Sequence, residues 1–459
     1  MRRKLSILAL ALALPLALSA CVGGIEDSTD AAAAGDAGSG SGEVNYWLWD
    51  SSQQPAYQAC ADAFHAANPE VTVKITQLGW DDYWTKLTAG FVSGTAPDVF
   101  TDHLSKYPEF LSNNQLLPLD DLVAKDKVAT DIYQPGLAEL WVGADGKRYG
   151  MPKDWDTIAV FYNKDMADAA GLTKEQLDSL AWNPTDGGTY EQAIAHLTVD
   201  ANGVRGDEPG FDKNNLKTYG LGLNKSGGGD GQTQWSMYTG SVGDWTYTNK
   251  QTWGDHYNYD SPQFQETIGW FRSLIDKGYM PPLEKTLGAS DTDQFGAGNY
   301  AMITEGSWNT NGITGSKGLN VGIAPTPIGP TGHRASMFNG LGDSIWSGSQ
   351  NQAAAWKWVK FLASPACQDI VGNAAVVFPA IPSGTDAAEA AFNAKGIDVS
   401  AFTQQVKDKT TFLFPLTDHG AAISQIMLPA MDSVMNYSAD PDSLSDANDQ
   451  VNSLFLFSE

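Results

Sequence analysis

Val44-Asn45-Tyr46-Trp47-Leu48-Trp49-Asp50 is an aromatic-rich run that ends in an acidic turn, the composition of a β-strand. Pro55 to Ala67 follows, with Tyr57, Cys60, Ala61 and Phe64 at i, i+3, i+4 and i+7. That spacing predicts an amphipathic helix, with Pro in its first turn and Asn68-Pro69 as its stop. Val71-Thr72-Val73-Lys74-Ile75 alternates with period two and reads as a second strand. Asp81 is placed to cap a helix whose inward face is Trp84, Leu87 and Phe91. Gly94-Thr95-Ala96-Pro97 breaks that helix, and Asp98-Val99-Phe100 opens a third strand. Strand, helix, strand, helix, strand at this spacing predicts right-handed βαβ units on a parallel sheet, an α/β fold.

A second start of the same kind lies downstream. Tyr149-Gly150-Met151-Pro152 leads into the apolar strand Thr157–Tyr162. Helices are expected at 190–197 and 262–277, the latter with Phe264, Ile268, Phe271 and Ile275 on one face and Gly278 as its stop. Tyr300–Thr304 and Val321–Ala324 read as short strands, Ala355, Trp358, Val359 and Leu362 as one more helix, and the chain from Asp386 as mainly helical. Residues 200–212 carry Asn202-Gly203, Asp207 and Glu208, oxygen ligands that do not fit the EF-hand spacing, so the segment reads as a solvated turn rather than a calcium loop and no metal site is assigned.

Upstream, Arg2, Arg3 and Lys4 precede an apolar run from Leu5 to Ala20. A basic start and an apolar run too short to span a bilayer make a signal peptide, residues 1–20. It ends Leu18-Ser19-Ala20-Cys21, which resembles the bacterial lipobox and implies diacylglycerol on Cys21. Two acyl chains suffice for stable anchoring, here on the outer face of the cell membrane. Val22 to Gly42 is mostly Gly, Ala, Ser, Thr and Asp, a flexible tether.

About 415 residues remain, too many for one hydrophobic core. The formal charge of −26 argues against nucleic acid as a partner. Setting Cys21 aside leaves Cys60 and Cys367, each on the apolar stripe of a predicted helix. An extracytoplasmic location permits a disulfide between them, and two buried thiols fit the pattern as well.

Four local patterns follow one another along the chain. They are Gly94-Thr95-Ala96-Pro97-Asp98-Val99; Gly150-Met151-Pro152 followed by Phe161-Tyr162-Asn163-Lys164-Asp165; Ala301-Met302-Ile303-Thr304-Glu305-Gly306-Ser307-Trp308; and Ala353 to Pro365 with its Trp356-Lys357-Trp358 core. Together they resemble the bacterial extracellular solute-binding proteins of family 1, the maltodextrin-binding group. The resemblance weakens between Leu180 and Tyr259, where the chain is longer and more aromatic. It implies a type II-like periplasmic-binding fold of two α/β lobes joined by three crossings. The lobes divide as 43–154 and 338–380 for the N-lobe, and 155–337 and 381–459 for the C-lobe. Crossings fall near 153–157, 336–340 and 380–385. It further implies a monomeric receptor without cofactor or catalytic residues, which captures a carbohydrate between its lobes and delivers it to ABC permease subunits.

Ligands in open α/β sheets bind beyond the carboxyl ends of the strands. Trp49 and Asp50 end the first strand, Asp102 the third, and Glu305 and Trp308 follow a C-lobe strand. Trp155 and Asp156 stand at the first crossing, Asn339 and Gly340 at the second, and Phe378 near the third. The resemblance places Trp47, Asp102, Asp156 and Trp308 near sugar-contacting positions. Trp235 sits in the aromatic insert as part of a platform or a satellite core. Indole faces suit the C–H face of a sugar, and carboxylates suit its hydroxyls. A polyol or glycerol phosphate is the nearest alternative ligand class. A secreted carbohydrate-active enzyme is the rival function, although H-E-x-x-H, G-x-S-x-G and P-loop patterns are lacking.

Overall fold

The computed structural model describes residues 40–225, 228–288 and 290–456. The signal peptide, Cys21 and the tether as far as residue 39 lie outside the described residues. β1 (Gly42–Leu48) begins one residue before the expected lobe, where the Gly42 N–H donates to the Glu70 carbonyl at 2.8 Å. α1 (Gln54–Ala67) buries Tyr57, Cys60, Ala61 and Phe64, the expected stripe. After β2 (Val71–Gln77), α2 (Trp80–Ser93) buries Tyr83, Trp84 and Leu87. Asp81 makes no capping bond. It stands inside the first turn, where a negative charge complements the helix dipole. β3 (Val99–Asp102) and α3 (Tyr107–Ser112) complete the first run.

The remaining strands among the described residues are β4 (Gly150–Asp156), β5 (Ile158–Asn163), β6 (Val199–Asp200), β7 (Leu216–Leu221), β8 (Tyr300–Gly306), β9 (Val321–Ala324), β10 (Ser336–Ile345), β11 (Phe378–Pro379) and β12 (Thr411–Leu413). One sheet runs β11-β4-β10-β3-β1-β2 with β12 paired to β10, and the other runs β6-β7-β8-β5-β9. Each sheet is the core of one lobe, and β12 pairs only with Ser336–Phe338, the start of β10 that lies beside the second sheet. Thr157 alone separates β4 in the first sheet from β5 in the second. β10 starts beside the second sheet, where Ser336 Oγ accepts from the Ile158 N–H at 2.7 Å, and ends between β3 and β4.

The parallel expectation holds for β2-β1-β3 and for β7-β8. It fails for β10 against β3 and β4, for β11 against β4, and for β5 against β8 and β9, which are all antiparallel. β10 returns from the other lobe and so enters its sheet from the opposite end. The helix Pro382–Ala394 corrects a boundary. It packs on the N-lobe helix Pro365–Ala374, with Gly372 against the Gly384 carbonyl, so the chain stays with the N-lobe past residue 381 as far as Ala394. Cys60 of α1 and Cys367 of the helix Pro365–Ala374 are joined by a disulfide across 307 residues.

Four strands meet in one buried polar knot. Lys153 Nζ (β4) donates to Tyr46 OH (β1) at 2.8 Å and to Thr101 Oγ1 (β3) at 2.7 Å. Tyr46 OH donates to Asp343 Oδ1 (β10) at 2.9 Å, and the ammonium lies 3.9 Å from the same oxygen and 3.9 Å from the centre of the Tyr57 ring. A bulge opposite Leu341 and Gly342 turns Lys153 into this position. Removing one member of a buried charge pair strands the other, at a cost of about 3–5 kcal/mol. Lys153→Met should therefore lower unfolding free energy in urea by about 3 kcal/mol or more, and adding Asp343→Asn should restore part of it. A loss near zero for the single variant would contradict the role given to the knot.

Candidate ligand site

The crossings bring several expected residues together. Asp156 ends β4 and accepts from Ser307 Oγ of the other lobe at 2.9 Å. Burial pushes its carboxyl up to about 7, with the Ser307 bond opposing the shift and the Asp50 and Glu305 charges adding to it. Glu305 Oε1 accepts from the Gly306 N–H at 2.7 Å, and its Oε2 accepts from Asn224 Nδ2 at 2.8 Å. Half-buried Trp308 folds over Gly306, where a Cβ would meet the indole at 1.9 Å, so only glycine fits. Asn339 stands opposite Asp156 in the β10–β4 register, and its Nδ2 lies 3.0 Å from His103 Nε2. Its Oδ1 is buried without a hydrogen-bond partner among the described residues.

Other expected contacts are structural. Trp155 is fully buried, stacks on Phe378 at 4.7 Å and donates from Nε1 to Thr385 Oγ1 at 2.9 Å. Both rings are buried where the crossings pass. Asp102 turns back into its own lobe, accepting from the His103 N–H at 2.8 Å and from Ser344 Oγ at 3.2 Å. Trp235 is buried between Tyr247 and Phe264, so the insert forms a satellite core there rather than a platform. Gly340, at the second crossing, and Gly342 both belong to β10. Leu137 and Trp141 lie where their Cβ atoms would be, at 2.7 and 2.4 Å, so glycine serves packing here. Asp50 accepts from the Ser52 N–H, Ser52 Oγ and Gln53 Nε2, which builds the turn into α1. Trp47 is half-buried beside Tyr83. Asp200, in the segment weighed for calcium, accepts from the backbone N–H groups of Asn202, Val204 and Asp212.

The cavity that opens between the lobes is lined by residues the sequence reading missed. From the N-lobe come Leu104, Ser105 and Pro108. From the facing side come Asp230, Tyr257, Phe414 and Thr417, with Ser424 on the helix Gly420–Met435. Burial alone pushes the Asp230 carboxyl up to about 7. Tyr257 OH lies 2.9 Å from Thr417 Oγ1. His103 joins this cavity to the crossings. Its Nδ1 lies 2.8 Å from Ser105 Oγ, and its ring is 5.9 Å from Phe414 and 6.3 Å from Trp49. Burial, with the Lys106 charge adding, lowers its pKa to about 3 and keeps it neutral. Trp49 in turn packs edge-on against Trp80, which is 44% exposed. The glycine run before Asp230 was the available signal. Glycine lets backbone pass close to a neighbour, and Gly229 abuts Ser424.

The family model described as bacterial extracellular solute-binding protein matches residues 49–369. The chain belongs to that family. This solute-binding protein is 25% identical over 327 residues to a maltooligosaccharide ABC transporter solute-binding lipoprotein of Streptococcus pneumoniae, covering 69% of this chain and 67% of that one. It is 25% identical over 311 residues to the maltodextrin-binding protein of Bacillus subtilis, covering 65% and 64%. An ABC substrate-binding protein of Listeria monocytogenes solved with cycloalternan has the same fold, with a TM-score of 0.75 at 20% identity over 91% of this chain and all but 1% of that one.

Burial pushes Asp102 up to about 8 from an ordinary 3.8, against the pull of its bonds to His103 and Ser344. The native state then holds a proton that the unfolded chain has released. The stability this confers is complete below about pH 4 and lost as pH rises through about 8. Asp102→Asn should flatten the fall in melting temperature between pH 5 and 8 by about 3 °C. Parallel curves for parent and variant would contradict the assignment.

Proposed function

We propose that this chain is the capture component of an ABC importer for a neutral oligosaccharide, held on the outer face of the cell membrane by lipid on Cys21. The observation that carries the reading is the interlobe cavity, where the Ser105 hydroxyl of one side shares a space with Asp230, Tyr257, Phe414 and Thr417 of the other. Such a space suits a guest with apolar ring faces and hydroxyl rims. The Asn339 Oδ1 acceptor beside it suits a hydroxyl donor. The relatives named above carry maltooligosaccharide and maltodextrin in their names, which supports the same ligand class here. Closure around the guest would present a ligand-specific shape to permease subunits.

A phosphorylated polyol fits less well. Phosphate recognition wants a cation in the site. The Lys153 ammonium, three residues before Asp156 on β4, is buried and engaged by Tyr46, Thr101 and Asp343. Glycosidic hydrolysis would want two carboxyls flanking the bond. Asp156 and Glu305 are instead tied to Ser307 and to Asn224 and Gly306.

A melting-shift screen against a carbohydrate panel tests the ligand class. A sugar at 100 times its Kd should add about 2.7 kcal/mol of stability. Asp230→Asn or Ser105→Ala should weaken that sugar about tenfold, the scale of one lost hydrogen bond in a desolvated site. Response only to a non-carbohydrate solute would reject the sugar assignment. Separately, Cys21→Ser should move the protein from the membrane fraction to the medium of the producing bacterium, and unchanged membrane association would reject the anchor.

A further inference from the structure

The aromatic insert between Leu180 and Tyr259 has a use that solute capture alone does not assign. Its last part is a hairpin closed by the Thr248–Tyr257 bridge. The leg that ends at Tyr257 lines the interlobe cavity, and the Tyr257 hydroxyl pairs with Thr417 there. Thr252, near the tip, pairs with Leu416, so the hairpin is fixed along one wall of the cavity. The neighbouring tip residue, Trp253, reaches the other lobe. Its Nε1–H donates to the Val142 carbonyl at 2.8 Å, and its ring stands 5.9 Å from Tyr107 of α3. Val142 precedes β4 and pairs with Arg148, well inside the N-lobe.

The tip is built to hold this pose. Trp253 has φ of 53°, a conformation that bulky residues rarely adopt. Asp255 accepts from Asn249 Nδ2 at 2.6 Å and from Lys250 Nζ at 2.5 Å, and its N–H donates back to Asn249 Oδ1 at 3.1 Å. Gly254 lies against Thr248, where a Cβ would come within 2.5 Å. A strained, internally braced tip that presents an indole donor to the opposite lobe is the geometry of a clasp.

We propose that Trp253 is a clasp that holds the lobes closed over bound ligand and so sets the ligand's residence time. The inference rests on the solute-capture reading above. Trp253 is a positioning residue in this account. It touches the facing lobe, while the cavity is lined by Ser105, Asp230, Tyr257 and their neighbours. Opening must break the Val142 bond and separate Trp253 from Tyr107, whereas ligand entry occurs before either forms. The clasp therefore acts on dissociation.

Stopped-flow Trp fluorescence on the full chain tests this, with maltose, maltotriose and mannotriose as probes. Trp253→Ala should raise the dissociation rate about tenfold for every probe that binds, with association within about twofold. Trp253→Phe keeps a ring and drops the donor, so it should give a smaller rise and serves if the Ala variant fails to fold. An unchanged dissociation rate in a folded variant would overturn the clasp. A loss confined to one probe would also overturn it, by making Trp253 a direct sugar contact. Binding of none of these probes or of any other carbohydrate by the parent would instead fail the sugar reading, and the two rates would then be measured with whichever solute does bind.

Discussion

The Lys153 ammonium is the constraint on which the two-lobed arrangement turns. It is 3% exposed, and burial lowers its pKa against the opposing pull of Asp343, Asp154 and Asp50. A charge in such a place must be paired, and its partners sit on three other strands. β4 and β10 both cross toward the other lobe just beyond this point. Fixing them here fixes where the crossings emerge, and so where Asp156 and Asn339 stand. The chemistry of the cleft floor thus follows from a satisfied charge buried beneath it.

From that floor the site grows outward in two steps. Asp156, Ser307 and Asn339 form a rigid base at the crossings. His103 links the base to the cavity, where Ser105 faces Asp230 and Tyr257. Both acids of this site are held toward their neutral forms by burial, Asp156 and Asp230 at about 7. A site of this kind offers hydrogen bonds with little net charge, which agrees with a neutral, hydroxyl-rich guest better than with an anion.

Much of the fold was legible because periodicity is a local property. α1, α2, the helix Pro262–Asp276 and the first three strands came out within two residues of their observed ends. The antiparallel placement of β10 was not legible, since strand direction in a sheet depends on a return from another lobe. The site was read less well, for a related reason. An indole face suits a ligand platform, yet Trp155 and Trp235 are only 0 and 1% exposed, and Trp235 takes the satellite-core alternative. A Trp near a crossing looks the same in sequence whether it lines a cleft or fills the joint behind it. Ser105 and Thr417 carry no pattern of their own, and only the meeting of distant segments brings them to one cavity.

The most direct measurement is a crystal structure of the full chain grown with the carbohydrate that most raises its melting temperature. The account predicts sugar density between Ser105 on one lobe and Asp230 and Tyr257 on the other, within hydrogen-bond reach of groups from both. Density on an outer face, or within one lobe alone, would contradict it.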